Sequence, residues 1–94
     1  MASLTVLLMK GRALFGEHAL TITDAGLAHE TKYSITVHKW FGIHAIVKRG
    51  AYHYVYTSEH NAHVVPSQSV VDGDVAYFME AARTRIEQAQ AKEG

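Results

Sequence analysis

Asp72-Gly73-Asp74-Val75-Ala76-Tyr77-Phe78-Met79-Glu80-Ala81-Ala82-Arg83-Thr84-Arg85-Ile86-Glu87-Gln88-Ala89 is the stretch on which the fold turns. Val75, Phe78, Met79, Ala82, Ile86 and Ala89 recur at i, i+3, i+4 and i+7, which lines them up as one apolar stripe on a helix. Asp72 or Asp74 stands where a side-chain oxygen can accept bonds from the free N–H groups of the first turn. The spacing predicts a helix over about residues 73–92. Arg83 and Glu87 lie one turn apart on its outer side, a pairing worth a few tenths of a kcal/mol. The position of this helix matters as much as its pattern. It follows every strand-like segment, so it cannot cross over between parallel strands. The sheet must then be largely antiparallel, joined by short hairpins, with the helix capping one face or one open end.

Working back from the helix, the rest of the chain reads as strands. Glu17–Thr23 alternates, with His18, Leu20 and Ile22 on one face and Ala19, Thr21 and Thr23 on the other. Thr23-Asp24-Ala25-Gly26 is a turn. Strands follow over Leu27–Thr31 and Tyr33–Lys39, the latter with Tyr33, Ile35 and Val37 on one face. Trp40, Ile43 and Ile46 recur every three residues, a short helical turn pinned by the single Trp. His44–Lys48 and Tyr52–Thr57 form a hairpin around Arg49-Gly50-Ala51. Ser58-Glu59-His60-Asn61 turns the chain into Ala62–Val65, which Pro66 ends because proline cannot donate to a ladder. Ser67–Val71 reads as a linker. The expected fold is α+β: a bent antiparallel sheet or partly open barrel of five to seven strands, closed by one C-terminal helix.

Ninety-four residues make one domain, burying roughly 60–65% of the unfolded surface, so a single core with a thin margin is expected. Nine basic residues balance nine acidic ones and are scattered, which argues against a nucleic-acid partner. The absence of Cys removes disulfides, thiol catalysis and Cys-based zinc sites. Leu4–Met9 is a nearly unbroken apolar run, interrupted by Thr5 and followed by Lys10-Gly11-Arg12. Two readings are open. Six residues suit a buried first strand, which Thr and Val favour, whereas an apolar run ending in basic residues is how a transmembrane helix enters the cytoplasm. Residues 1–14 are therefore set apart from the domain proper at 15–94. On the second reading, an exposed Leu4–Met9 strip would favour a homo-oligomer.

The candidates for chemistry are few. Seven His in a chain this short is the one compositional oddity, and most such residues are expected on surfaces and strand faces. The weak candidate metal pairs are His60 with His63, flanking a turn, and His38 with His44, across the Trp40 bend. Neither supplies the three or four converging ligands that a zinc site needs. No Gly-x-Ser-x-Gly elbow, paired carboxylates or phosphate-binding glycine run is present, so no catalytic residue and no cofactor is expected. Tyr52, Tyr54 and Tyr56 on one strand face, with Lys48 and Arg49 at the adjacent hairpin tip, are the candidate ligand or partner surface. The ordinary reading is aromatic packing across a sheet beside a solvated turn.

Phe15-Gly16-Glu17-His18, Leu20-Thr21-Ile22 and Asp24-x-Gly26-Leu27 resemble the opening of the YcxB-like domain. The later order is also similar: Trp40 with Ile43, the row Tyr52-x-Tyr54-x-Tyr56, Val64-Val65-Pro66, and a final helix. The resemblance covers about residues 15–90. It implies a fold like bacterial pleckstrin-homology domains, in proteins where a transmembrane hairpin precedes the soluble part. It therefore implies a non-enzymatic module on the cytoplasmic side of a bacterial inner membrane, binding a protein, peptide or lipid headgroup. The family carries no established catalytic residues or cofactor. Against it, this chain is rich in His, at His38, His44, His53, His60 and His63, which leaves a metal- or pH-responsive variation as the alternative.

Overall fold

The computed structural model describes residues 5–11 and 16–93. Leu4, Arg12 and Phe15, which entered the reading above, lie outside them. The described residues form eight strands in two antiparallel sheets that do not close on each other, followed by one helix. The strands are β1 (Thr5–Gly11), β2 (Gly16–Ile22), β3 (Leu27–Glu30), β4 (Ile35–His38), β5 (Ala45–Arg49), β6 (Tyr52–Tyr56), β7 (Ala62–Pro66) and β8 (Val70–Asp72), and the helix α1 is Val75–Glu93. The first sheet runs β4-β3-β2-β1-β8 and the second β5-β6-β7.

The described part of the apolar N-terminal run is a strand. β1 pairs with β2 along its whole length and with β8 on its other side, so it lies inside the sheet. Its side chains alternate: Leu7 and Met9 are buried, while Val6 and Leu8 point outward and are 39% and 38% exposed. The eighth strand corrects the linker reading of Ser67–Val71. Ser67–Ser69 makes one 3-10 turn, after which Val70–Asp72 pairs with β1. Three residues with two pairing partners carry too little periodicity to announce themselves as a strand.

Register sets the two faces of each sheet. Leu7 stands opposite Leu20, Ile22 opposite Leu27, and His53 opposite Val65. Leu7, Met9, Leu20, Ile22, Leu27, Val55 and Val65 therefore face into one core. The helix supplies Phe78, Met79, Ala82 and Ile86 to it, all buried, with Val75 and Ala89 packed at the margins. This is the stripe that the sequence spacing drew. The first turn is capped by Asp74, whose Oδ1 accepts the Tyr77 N–H at 3.0 Å, and Asp72 belongs to β8 instead.

The helix rests on β1, β5 and the 3-10 turn Trp40–Gly42. Three polar contacts fix it there. Arg85 pairs with Asp24 of the β2–β3 turn at 3.1 Å; Arg83 and Gln90 donate to the carbonyls of Ile46 and Ile43, each at 3.4 Å. Arg83 pairs along the helix with Glu80 rather than with Glu87. Trp40 is buried and its indole N–H donates to the Thr23 carbonyl at 2.8 Å, tying the bend between sheets to the β2–β3 hairpin.

Gly26 ends that hairpin where no side chain fits. A Cβ there would meet the backbone oxygen of His38 at 2.2 Å. Gly26→Ala is expected to destabilise the domain by about 1–3 kcal/mol through forced displacement of β4. Urea or guanidinium unfolding monitored by circular dichroism measures the loss, and an unchanged midpoint would show that β4 yields freely.

Candidate functional site

The inner face of the first sheet changes character along a diagonal. On β2 the inward positions are His18, Leu20 and Ile22. On β3 they are Leu27 and His29, with His29 opposite Leu20, and on β4 Thr36 and His38, with His38 opposite Leu27. Each histidine is thus displaced by two residues from the last, the diagonal relation that long or aromatic side chains can span. The second sheet completes the row. His63 of β7 stands opposite Val55 of β6 and shares its inward face.

The four imidazoles touch in sequence, His18–His29–His63–His38. Nδ1 of His18 and Nε2 of His29 are hydrogen-bonded at 2.8 Å, and Nε2 of His63 and Nε2 of His38 at 3.1 Å. Between the pairs, the His29 and His63 rings meet edge to face with centroids 5.1 Å apart. The row bridges both sheets, and all four rings are half-buried. As they stand they form two pairs: among the described residues, no three His, Asp or Glu converge on a single point.

An N–H···N bond between imidazoles requires one bare nitrogen, so each pair is held by at least one neutral ring. The surroundings favour that state. The pKa of His29 is lowered first by burial and then by the charges of His63, His18 and His38. That of His63 is lowered by burial, then by His38 and His18. The carboxylates of the neighbouring strands, Glu17 and Glu30, have the opposite parity and point to the outer face. A fifth histidine, His53, lies in the core at 4% exposure with its Nδ1 unbonded, its pKa lowered by burial and by Lys48 and Arg83.

The candidate residues named from the sequence are sorted by this geometry. His38 and His63 belong to the site, but as partners of each other. His44 and His60 are exposed, and His60 lies beside Glu59 at 3.9 Å. His18 and His29 join the site without having been singled out, since sequence separations of 11 and 25 residues across the two hydrogen bonds resemble no ligand motif. In the turn that carries His60, the Ser58 Oγ accepts the N–H groups of His60 and Asn61. Tyr54 and Tyr56 stack on the outer face of the second sheet, and Arg49 opposite Tyr52 shares that face. Lys48, opposite His53, lies on the inner parity and is separated from them.

No protein-family model, curated protein or solved structure matches the chain.

Two outcomes follow from these histidines. Because the folded pKa values of His29, His53 and His63 lie below the ordinary value of about 6.5, the folded state binds fewer protons than the unfolded chain. Stability contributed by these groups is complete above about pH 6.5 and is lost as pH falls below it. Thermal unfolding in chelator-containing buffers from pH 8 to 5 is expected to show Tm declining through that window; a flat profile would contradict it. His53→Leu removes a buried, unbonded nitrogen and is expected to stabilise by about 1 kcal/mol, read as a Tm higher by a few degrees. A lower Tm would show that the ring is satisfied.

Proposed function

We propose that the chain is a non-enzymatic interaction domain that acts through the outer face of its five-stranded sheet. The observation that carries this reading is the composition of that face. Its two central rows are Val6-Thr21-Ala28-Val37 and Leu8-Ala19-Glu30-Ile35, read across β1, β2, β3 and β4. An antiparallel sheet with one wet face ordinarily alternates apolar-in and polar-out. Here Val6, Leu8, Ile35, Val37 and Val71 are apolar and 38–67% exposed. At strand spacings of about 4.8 Å the two rows cover a few hundred Å², a size at which apolar patches on monomers are often functional. At one end lies a cleft of about 310 Å³ between Leu8, Ala19, Glu30, Lys32 and Val71.

The wider setting is proposed on the YcxB-like resemblance. It is a pleckstrin-homology-like module on the cytoplasmic side of a bacterial inner membrane, anchored by a separate segment. What supports it is the order of elements, a bent antiparallel sheet system with the helix last. No helix among the described residues is long and apolar enough to cross a membrane, so anchoring would come from elsewhere. The partner proposed for the outer face is protein, and a second copy of the chain is the simplest case, two such faces packing sheet on sheet.

Sedimentation equilibrium tests this directly. The wild-type chain is expected to self-associate with rising concentration, and Leu8→Lys combined with Ile35→Lys to remain monomeric with an unchanged circular dichroism spectrum. A wild-type chain that stays monomeric up to its solubility limit would overturn self-association through this face.

A further inference from the structure

We propose that the open edge of β4 pairs with the β4 edge of a second copy, the two strands joining about a two-fold axis into one continuous sheet. This goes beyond the outer-face reading, because it uses backbone groups at the rim of the sheet and leaves that face uncovered. An open edge presents N–H and C=O groups that template another strand, so proteins blunt edges with charge, proline, bulges or brevity. The described strands have four sheet edges, β4 and β8 in the first sheet and β5 and β7 in the second. β5 carries Lys48 and Arg49, and β7 ends in Pro66. β8 is three residues long, includes Asp72 and pairs with β1 through a register shift. β4, Ile35-Thr36-Val37-His38, contains no Lys, Arg, Asp, Glu or Pro and keeps an unbroken register on β3. Lys39 continues it in extended backbone. Ile35 and Val37 are 67% and 49% exposed.

The ladder fixes which groups face outward. The Thr31 N–H donates to the Ser34 carbonyl at 2.9 Å, so by alternation His29 with Thr36 and Leu27 with His38 are the hydrogen-bonded pairs. Glu30 with Ile35 and Ala28 with Val37 are then the non-bonded pairs, and the N–H and C=O of Ile35 and Val37 point away from β3. No turn, loop or cap hydrogen bond of the backbone uses them among the described residues. A two-fold axis at Thr36 sets Ile35 opposite Val37 of the second copy, and Val37 opposite its Ile35, each pair exchanging two N–H···O=C bonds. Thr36 meets Thr36, a favourable cross-strand pair. Ser34 meets His38, and Lys39 comes beside the Tyr33 ring, a cation against an aromatic. The pairing therefore opposes no like charges. Thr36 has inward parity and is nevertheless exposed, so the second sheet does not overhang the edge at the axis.

The test starts from Leu8→Lys, which charges the outer face on β1 and spares the edge; Ile35 borders both surfaces and is left unchanged. So short an edge makes a small interface, and sedimentation is expected to show a dimer with a Kd on the order of 0.1 mM. In this background Thr36→Lys sets like charges opposite each other at the axis and is expected to weaken the dimer roughly fivefold, as is Thr36→Glu. An equimolar mixture of the two is expected to restore it as a heterodimer. In the wild-type chain, amide exchange at Ile35 and Val37 is expected to slow as protein concentration rises. A Leu8→Lys chain that stays monomeric while the wild type associates would overturn edge pairing and leave the outer-face reading standing. Equal association of the two would support the edge and count against the outer face. A dimer indifferent to charge at Thr36, or exchange at Ile35 and Val37 independent of concentration, would also overturn the proposal.

Discussion

The register of β2 against its two neighbours is the constraint on which everything else depends. Side chains in a strand alternate between faces, so the pairing of Leu20 with Leu7 and of Ile22 with Leu27 commits every other residue of the sheet. It sends Leu7 and Leu20 into the core that Phe78 and Met79 also enter. It also sends His18 inward with them, and Val6, Leu8 and Ala19 outward. A slip of one residue would exchange the two sets. The burial of an apolar row and the gathering of a histidine diagonal are thus consequences of one pairing, held from the turn by Trp40 on Thr23 and from the helix by Arg85 on Asp24.

The same constraint explains why the core is apolar in one region and polar in another. Where the sheets and the helix stripe share the core, inward sheet positions are Leu, Ile, Val and Met. The histidine row takes inward positions that are only half-buried. There the inward positions can remain half-wet, which is what lets four titratable rings sit in contact without the full desolvation cost of a buried charge. His53 shows the contrasting case. It takes an inward position within the covered core, and its Nδ1 finds no partner.

Much of this was legible in the residues, and the parts that were not failed for identifiable reasons. Period-two alternation marked β2, and period 3.6 marked α1, because each element buries one continuous face. The position of a single helix after all the strands was enough to require antiparallel pairing. β8 escaped because three residues next to a polar turn have no period to detect. The histidine pairs were sought among sequence neighbours, His60 with His63 and His38 with His44. The structure joins His38 to His63 and His18 to His29, because contacts between strands are set by register, and register is a property of pairs of segments. His18 had nevertheless given half of the signal: it shared a face with Leu20 and Ile22, and a histidine on an inward-facing row must either find a partner there or carry a desolvation penalty.

That last condition separates the two faces of the first sheet as functional surfaces. On the outer face the irregular feature is apolar area left in water, a state relieved by covering it. On the inner face it is a row of imidazoles whose mutual repulsion on protonation is avoided by staying neutral. Burial and crowding, which lower the pKa of His29 and His63, favour that neutral state. The outer face is marked by exposed apolar area and the inner face by a row of contacting imidazoles. Because the strands alternate, one sheet presents both without either set of side chains intruding on the other.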